Sequence, residues 1–307
     1  MAISAKDVME LRKQTDCGMM ECKKALTQAE GNFEKAVEIL REQGLATATK
    51  KAGRIAAEGM VYANYDAAKK VAVVVEVNAE TDFVAKNDKF VNFVHELTNV
   101  IADQEPADID ALMGCKMGDG TVDSELKGLI LVIKENIKIR RFATYEGHCA
   151  SYVHGGGTHA VLVKFDTTDE VAAKPEFAVF GKDIAMQVAA AVPSYLCEAD
   201  VPADVIGKEK EIVLAQMAND PKTANKPDAI KEKMVAGRLS KFYKENCLLD
   251  QVFIKDGDLT IKQYVANTAK ALSGDIKVVA YTHYTKGEGL EKRSDDFAAE
   301  VAAAVKG

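Results

Sequence analysis

Apolar residues recur at helical spacing in three short stretches within the first 45 residues. Ser4 and Asp7 form a capping-box pattern before the first stretch, the second stretch follows Gly18, and Asn32 can cap a third that ends at Gly44. Three successive short helices predict a small bundle. Such a bundle buries little surface and is marginally stable on its own.

The spacing of apolar residues changes after this bundle. Residues 46–58 are rich in Ala, Lys and Thr and lack an apolar face, which predicts a linker. Residues 60–65 and 70–78 then read as two β-strands joined by a short turn. The elements expected next are an amphipathic helix with Phe90, Val94, Leu97 and Ile101, a helix at about 122–134 and a strand at 137–145.

A second hairpin–helix–strand unit follows, without residue-level identity to the first. Residues 150–154 and 159–166 flank three consecutive glycines, which predicts another hairpin. Pro175 favours the start of a helix with Phe177, Phe180, Ile184 and Val188. A helix at about 260–272 and a strand at about 276–284 complete the unit. Each unit predicts a small helix-covered antiparallel sheet.

Two helical stretches, 203–219 and 228–245, interrupt the second unit and are joined by a short Pro-bounded connection. A short connection makes two helices antiparallel neighbours. The residues expected to face one another are Val205, Ile212 and Met217 on the first stretch and Ile230, Met234 and Leu239 on the second. The pattern leaves open whether this hairpin packs on its own domain or contacts another protein.

These patterns together predict an α+β fold. It comprises an N-terminal three-helix bundle like a ubiquitin-associated (UBA) domain, a core of two helix-covered antiparallel-sheet subdomains, an inserted antiparallel helical hairpin and a C-terminal helix with Phe297, Val301 and Val305. The expected domains are 1–45 (bundle), 46–58 (linker), 59–146 (first core subdomain), 147–192 with 246–286 (second core subdomain), 193–245 (hairpin) and 287–307 (C-terminal helical module).

The charge balance narrows the possible partners. The formal net charge is −7, whereas binding to a nucleic-acid backbone needs a basic face. We therefore expect no direct nucleic-acid partner. The sequence has no run of eighteen apolar residues, and its start carries acids where a signal peptide would be basic and apolar. We expect no membrane partner and a cytoplasmic location.

The motifs that would indicate chemistry are incomplete. The six cysteines form no C-x-x-C pair, and the spacing of His148, His154 and His159 on the second hairpin is unusual for a metal site. The glycines after His154 resemble the oxyanion loop of esterases, but the chain has no G-x-S-x-G nucleophile elbow. Phosphate-binding glycine motifs are also absent from the sequence. We expect no catalytic residue, metal or cofactor.

The segment between the strand at 70–78 and the next helix combines polar residues with an apolar pair. Phe83 and Val84 lie between Asp82 and Lys86 in a connection that Asn87 can end by capping the helix. Connecting loops lie on the surface. An apolar pair in such a loop either folds back into its own core or is offered to a partner. Spacing alone leaves both possibilities open.

Several segments resemble signatures of the elongation factor Ts family, in that family's order. They are Leu11-Arg12 to Thr15 with Gly18-Met19-Met20-Glu21-Cys22-Lys23-Lys24-Ala25-Leu26, Val77-Asn78-Ala79-Glu80-Thr81-Asp82-Phe83-Val84-Ala85-Lys86, Glu135-Asn136-Ile137-Lys138-Ile139-Arg140-Arg141, Tyr152-Val153-His154-Gly155, Met234-Val235-Ala236-Gly237-Arg238 and Asp296-Phe297-Ala298-Ala299-Glu300-Val301-Ala302.

The resemblance implies a guanine-nucleotide exchange factor that binds elongation factor Tu carrying GDP. It implies that a loop with Thr81, Asp82, Phe83 and Val84 disturbs the magnesium side of the partner's nucleotide site. The other partner contacts that it implies are Leu11, Met19, Met20, His154, Met234 and Val235. The helical hairpin would allow homodimerisation or a 2:2 assembly. An alternative function is that of a UBA-like binding adaptor without exchange activity.

Overall fold

The computed structural model describes residues 3–291. The helices are α1 (Ala5–Thr15), α2 (Met19–Gln28), α3 (Phe33–Lys51), α4 (Asp88–Gln104), α5 (Ile109–Gly114), α6 (Val122–Ile133), α7 (Asp169–Ala172), α8 (Pro175–Ala191), α9 (Ala203–Asn219), α10 (Asp228–Asn246) and α11 (Ile261–Ala271). The strands are β1 (Glu58–Asp66), β2 (Val71–Ala79), β3 (Lys116–Met117), β4 (Gly120–Thr121), β5 (Lys138–Glu146), β6 (His148–His154), β7 (His159–Asp166), β8 (Val252–Phe253), β9 (Asp256–Thr260) and β10 (Lys277–Thr285).

The predicted three-helix start is confirmed. The side-chain oxygen of Ser4 accepts a hydrogen bond from the Asp7 N–H at 3.2 Å, and the Asp7 carboxylate accepts one from the Ser4 N–H, which completes the capping box. A core of small and branched apolar side chains joins α1, α2 and α3. Leu131 of α6 belongs to the same core, so the bundle packs directly on the rest of the protein.

The predicted end of the third helix at Gly44 is wrong, because α3 continues to Lys51. The Ala and Lys residues after Gly44 are strong helix formers, and Ala48 packs against the core of the first sheet. Gly44 instead lies where α3 crosses α6: a Cβ at this position would be 3.1 Å from the Lys127 carbonyl oxygen. The glycine allows two helix backbones to approach closely, and the predicted linker begins inside a helix.

Two three-stranded antiparallel sheets form the centre, with strand orders β1-β2-β5 and β10-β7-β6. Helices α4 and α6 cover the first sheet, and α8 and α11 cover the second. The two hairpin–helix–strand units and the α+β fold class are confirmed.

The two sheets also pack against each other through their other faces. Val73 and Val75 of β2 point towards α4, whereas the alternate residues Ala72 and Val74 meet Leu162 of β7. Successive strand residues point to opposite faces, so every residue of β2 is buried. The result is four layers: helices, sheet, sheet, helices. The continuous apolar run of β2 reflects a strand that is covered on both faces.

A carboxylate lies in this central layer. Glu76 of β2 is fully buried between the sheets. Its Oε1 is 3.0 Å from Arg140 Nη1, and its Oε2 is 2.6 Å from Arg141 Nε. The N–H of Gly287 and the side-chain amide of Asn78 donate to the same carboxylate at 2.8 and 3.1 Å. Glu76 therefore joins three separate parts of the chain in one network.

The network also holds the segment after β10. Arg140 Nη2 donates to the carbonyl of Glu288 at 2.6 Å, and Arg141 Nη2 lies 3.2 Å from the Glu288 carboxylate. The Arg141 guanidinium stacks 4.1 Å from the ring centre of Tyr284. These contacts fix the end of the second sheet to the first.

The predicted helical hairpin is present as α9 and α10. Of the residues expected to face one another, Met217 is buried and Val205, Met234 and Leu239 are half-buried, but two are exposed. Val213 and Met217 are the buried residues of α9, whereas Ile212 and Ile230 are exposed. Residues 213 and 217 lie one turn apart on the same face, and residue 212 is rotated by about 100° from 213.

The expected tail helix with Phe297, Val301 and Val305 lies outside the described residues. No helix between residues 3 and 291 is both long and apolar enough to cross a membrane.

Replacing Glu76 with Gln should destabilise the fold by about 3 kcal/mol, because it removes the buried charge that two half-buried guanidinium groups share. Burial, the largest influence, raises the pKa of Glu76, but the hydrogen bonds from Gly287, Asn78 and Arg141 outweigh it and hold that pKa below its ordinary value of 4.5. Urea unfolding at neutral pH measures the loss. Glu146→Gln on the neighbouring strand β5, where the side chain is exposed, is the matched control.

The difference in the free energy of unfolding between wild type and Glu76→Gln should depend on pH. A lowered folded pKa stabilises the protein above the unfolded pKa, and this stability is lost as pH falls through the folded value. The difference between wild type and Glu76→Gln should therefore stay constant from pH 8 to about 5.5 and narrow below about 4.5. A difference that does not change with pH would contradict an ionised Glu76.

Candidate functional site

The loop after β2 divides its apolar pair between the core and the solvent. Val84 is only 5% exposed and packs in the core beneath α4, whereas Phe83 is 77% exposed. Val84 begins a single 3-10 turn, Val84–Lys86, and the Asn87 side chain then accepts from the Lys89 N–H at 3.0 Å at the start of α4. A buried residue thus anchors the loop while its neighbour projects into solvent.

The Val84 side chain is used for packing in the core, and its expected contact with the partner stays a prediction. The other three residues of that group remain at the surface: Asp82 and Phe83 are exposed and Thr81 is half-buried. The Asp82 carboxylate lies 3.9 Å from the Lys86 ammonium, and both side chains are largely exposed. Such an exposed pair contributes little energy and is easily replaced by contacts to another molecule.

Polar residues from a distant segment hold the start of this loop. Thr81 donates two hydrogen bonds to Glu135, from its N–H at 2.9 Å and from its hydroxyl at 2.7 Å. The Glu80 carboxylate accepts from the N–H of Asn136 at 2.6 Å. The sequence analysis did not identify these pairs. Two motifs quoted above, at residues 77–86 and 135–141, are therefore in direct contact.

His154 lies at the tip of the β6–β7 hairpin, where its ring is exposed. Its Nδ1 is 2.9 Å from the Tyr152 hydroxyl. The following turn rests on β1: the N–H of Val61 donates to the carbonyl of Gly157 at 2.9 Å, and a Cβ on Gly157 would be 2.8 Å from Met60 Cβ. Because β1 also contacts the 3-10 turn of the Phe83 loop, the two segments lie at the same end of the sheets.

His148 does not lie beside His154 and His159. His148 lies at the opposite end of β6, where its Nε2 is 2.9 Å from Asp169. The sequence analysis missed His283 of β10, whose Nε2 is 3.1 Å from Nδ1 of His159. Burial, and secondarily the neighbouring His159, lower the pKa of His283. Among residues 3–291, no group of three or more His, Cys, Asp or Glu side chains is arranged to hold a metal ion.

The N-terminal candidates also separate by burial. Leu11 is completely buried in the bundle core, and its expected role as a partner contact stays a prediction. Met19 and Met20 are exposed at the start of α2, and Met9 of α1 is exposed as well. Methionine side chains are flexible and suit adaptable binding surfaces.

Met234 and Val235 lie half-buried on α10. The sulfur of Met234 is 3.9 Å from the Lys226 ammonium, which belongs to the connection between α9 and α10. The candidate residues therefore lie on the bundle, on the loop end of the two sheets and on the hairpin. This distribution suits contact with a large partner rather than a small molecule.

Truncation of the two neighbouring loop residues should have unequal effects on stability. Val84→Ala removes buried methyl groups and should cost about 1–3 kcal/mol. Phe83→Ala acts on an exposed side chain and should change the free energy of unfolding by less than about 0.5 kcal/mol. Urea unfolding of the two variants measures the difference. A larger loss for Phe83→Ala than for Val84→Ala would contradict this description of the loop.

Comparison with known proteins agrees with this layout. The family described as Elongation factor TS matches residues 80–288. The chain is 47% identical to elongation factor Ts of Trichlorobacter lovleyi over 313 aligned residues, which cover 99% of each chain. It is also 47% identical to elongation factor Ts of Clostridioides difficile, again over 99% of each chain, and 46% identical to that of Clostridium kluyveri. With a family match over more than half of its length and such similarity along nearly all of it, this chain belongs to the elongation factor Ts family.

Proposed function

We propose that this translation elongation factor binds elongation factor Tu carrying GDP and accelerates the release of GDP. The observation that carries the proposal is the exposed Phe83, held on a short loop whose other apolar residue is buried. An exposed aromatic side chain on a well-anchored loop can enter a partner at a small ordering cost. The function needs no covalent chemistry, so the protein would act by binding alone.

The magnesium side of the partner's nucleotide site is the proposed target. In P-loop GTPases, Mg²⁺ bridges the phosphates and protein oxygens and neutralises charge. Phe83 would wedge into this region, and the neighbouring Asp82 carboxylate would disturb the network around the metal ion. Thr81 would orient this pair. His154, at the same end of the sheets, would contact the same partner domain.

Energetics favours a large contact surface. An exchange factor must bind the nucleotide-free partner better than the loaded partner. A shift of that equilibrium from 1:99 to 99:1 requires about 5.5 kcal/mol of differential binding, whereas burying one Phe supplies only about 1.5–3 kcal/mol. The proposed additional contacts are the exposed Met19 and Met20 on the bundle and the half-buried Met234 and Val235 on the hairpin.

Phe83→Ala should slow GDP release from elongation factor Tu by up to roughly 100-fold, if about 3 kcal/mol of binding is lost. Asp82→Ala should also slow release, with little effect on folding. Stopped-flow fluorescence with a labelled GDP measures both rates. Val179→Ala on α8 is the matched control, because Val179 is a similarly exposed apolar residue on another part of the surface.

The same assay tests the alternative function. A binding adaptor without exchange activity would form a complex with elongation factor Tu but leave GDP release at its spontaneous rate. A wild-type chain that behaves in this way would contradict the proposed exchange function. A Phe83→Ala variant that releases GDP as fast as the wild type would contradict the proposed role of the loop.

We also propose that the hairpin of α9 and α10 supports self-association. Ile212, Leu214 and Ile230 are exposed apolar residues on the two helices, and exposed apolar surface favours association. Replacing Ile212 and Leu214 together with Glu should lower the assembly mass measured by light scattering towards that of a single chain. Val179→Glu serves as control, and an unchanged mass in the double variant would contradict this proposal.

A further inference from the structure

Three consecutive residues between α6 and β5 connect parts of the protein that are distant in sequence. Lys134 caps the C-terminal end of α6 in the left-handed region with φ 65°, and its N–H donates to the Ile130 carbonyl at 2.8 Å. Glu135 and Asn136 follow before β5 begins. Each of the three side chains contacts a different segment, and we call residues 134–136 the junction.

The central residue of the junction binds the loop that carries Phe83. The Glu135 carboxylate receives the N–H of Thr81 at 2.9 Å on one oxygen and the Thr81 hydroxyl at 2.7 Å on the other. Hydrogen bonds to an ionised acceptor are stronger than neutral ones. Two of them on one residue fix both the backbone and the side chain of Thr81, which directly precedes Asp82 and Phe83.

The third residue strengthens this attachment from the other side of the loop. The N–H of Asn136 donates to Glu80 at 2.6 Å, and its side-chain amide donates to the Arg54 carbonyl at 2.7 Å. Arg54 follows α3, and its guanidinium returns to Glu80 at 3.4 Å. Glu80, Asn136 and Arg54 thus form a closed set of contacts at the base of the loop.

The first residue connects the junction to the N-terminal bundle. The Lys134 ammonium pairs with the Glu21 carboxylate of α2. Glu21 also accepts the N–H of Gly18 at 2.9 Å, and Met19 and Met20 lie between these two residues. The three residues of the junction therefore contact both the first turn of α2, which carries the exposed Met19 and Met20, and the loop that carries Phe83.

We propose that Glu135 is the positioning residue of the nucleotide-release loop. It acts through Thr81 to hold Asp82 and Phe83 in the pose that enters the partner, and its neighbours in the junction fix that pose relative to the bundle. The inference rests on the proposed exchange function. It assigns to Glu135 an effect on the rate of release within the complex, because the residue itself lies beneath the loop and is half-buried.

Loss of this attachment should affect rate more than affinity. A loop released from Glu135 must be ordered when the complex forms, and that ordering reduces the energy available for displacing the nucleotide. The contacts of the bundle, the hairpin and His154 would persist and maintain the affinity. A purely structural role would instead lower thermal stability and leave the rate within the complex unchanged.

The test uses the full chain with elongation factor Tu carrying a fluorescent GDP, over a range of factor concentrations. Glu135→Ala removes both hydrogen bonds to Thr81 and should lower the release rate at saturation about tenfold. Thr81→Val removes only the hydrogen bond from the hydroxyl, because valine keeps the backbone N–H, and should lower that rate by less. Both variants should change the half-saturating concentration by less than about threefold. The double variant should be no slower than Glu135→Ala alone, because Glu135→Ala has already removed the hydrogen bond that Thr81→Val removes. Thr81→Ser keeps both donors and should recover most of the rate that Thr81→Val loses.

Glu146→Ala on β5 is the control, since this exposed carboxylate lies outside the junction. Wild-type saturating rates for folded Glu135→Ala and Thr81→Val, or additive losses in the double variant, would overturn the positioning role while leaving the exchange function intact. If Glu135→Ala does not fold, the Thr81→Val and Thr81→Ser pair decides the matter by the same criterion. A wild-type chain that does not accelerate GDP release would overturn both proposals. The wild-type rate therefore distinguishes failure of the exchange function from failure of the positioning role of Glu135.

Discussion

The burial of β2 on both faces is the constraint on which the rest of the structure depends. Its alternate residues pack against α4 on one side and against β7 on the other, so the strand cannot slip by one residue without exchanging its two faces. The one charged residue within it, Glu76, requires partners at that depth. Arg140 and Arg141 supply them, and the backbone of Gly287 is drawn into the same site.

The position of the candidate site follows from this strand. Because the register of β2 is fixed, the loop that begins after Ala79 starts from a rigid point, and Val84 returns to the same core four residues after Glu80. With Val84 buried, the neighbouring Phe83 side chain is left exposed. The junction holds the loop from below, and the His154 turn rests on β1 beside it. A rigid, apolar projection flanked by polar contacts suits insertion into a partner.

Much of this fold could be predicted from the sequence, because the spacing of apolar residues and the helix-capping residues determine helices and strands through contacts between residues that are close in the chain. The two sheet units, the helical hairpin and the capping box at Ser4 were read from spacing alone. The role of Gly44, the stacking of the two sheets and the pairing of His159 with His283 depend on elements far apart in the chain, so no local pattern indicates them. For the site, spacing identified the Phe83 loop but could not distinguish Phe83 from Val84, since burial is decided by tertiary packing.

The central claim is that the Phe83 loop itself enters the GTPase. A photoreactive phenylalanine analogue at position 83, mixed with elongation factor Tu carrying GDP and irradiated, tests it directly. The account predicts a covalent complex, with the attachment mapped by mass spectrometry to the magnesium side of the nucleotide site. The same analogue at position 179, which is exposed elsewhere, should give none. A position-83 variant that still accelerates GDP release but forms no crosslink to that region would contradict the account.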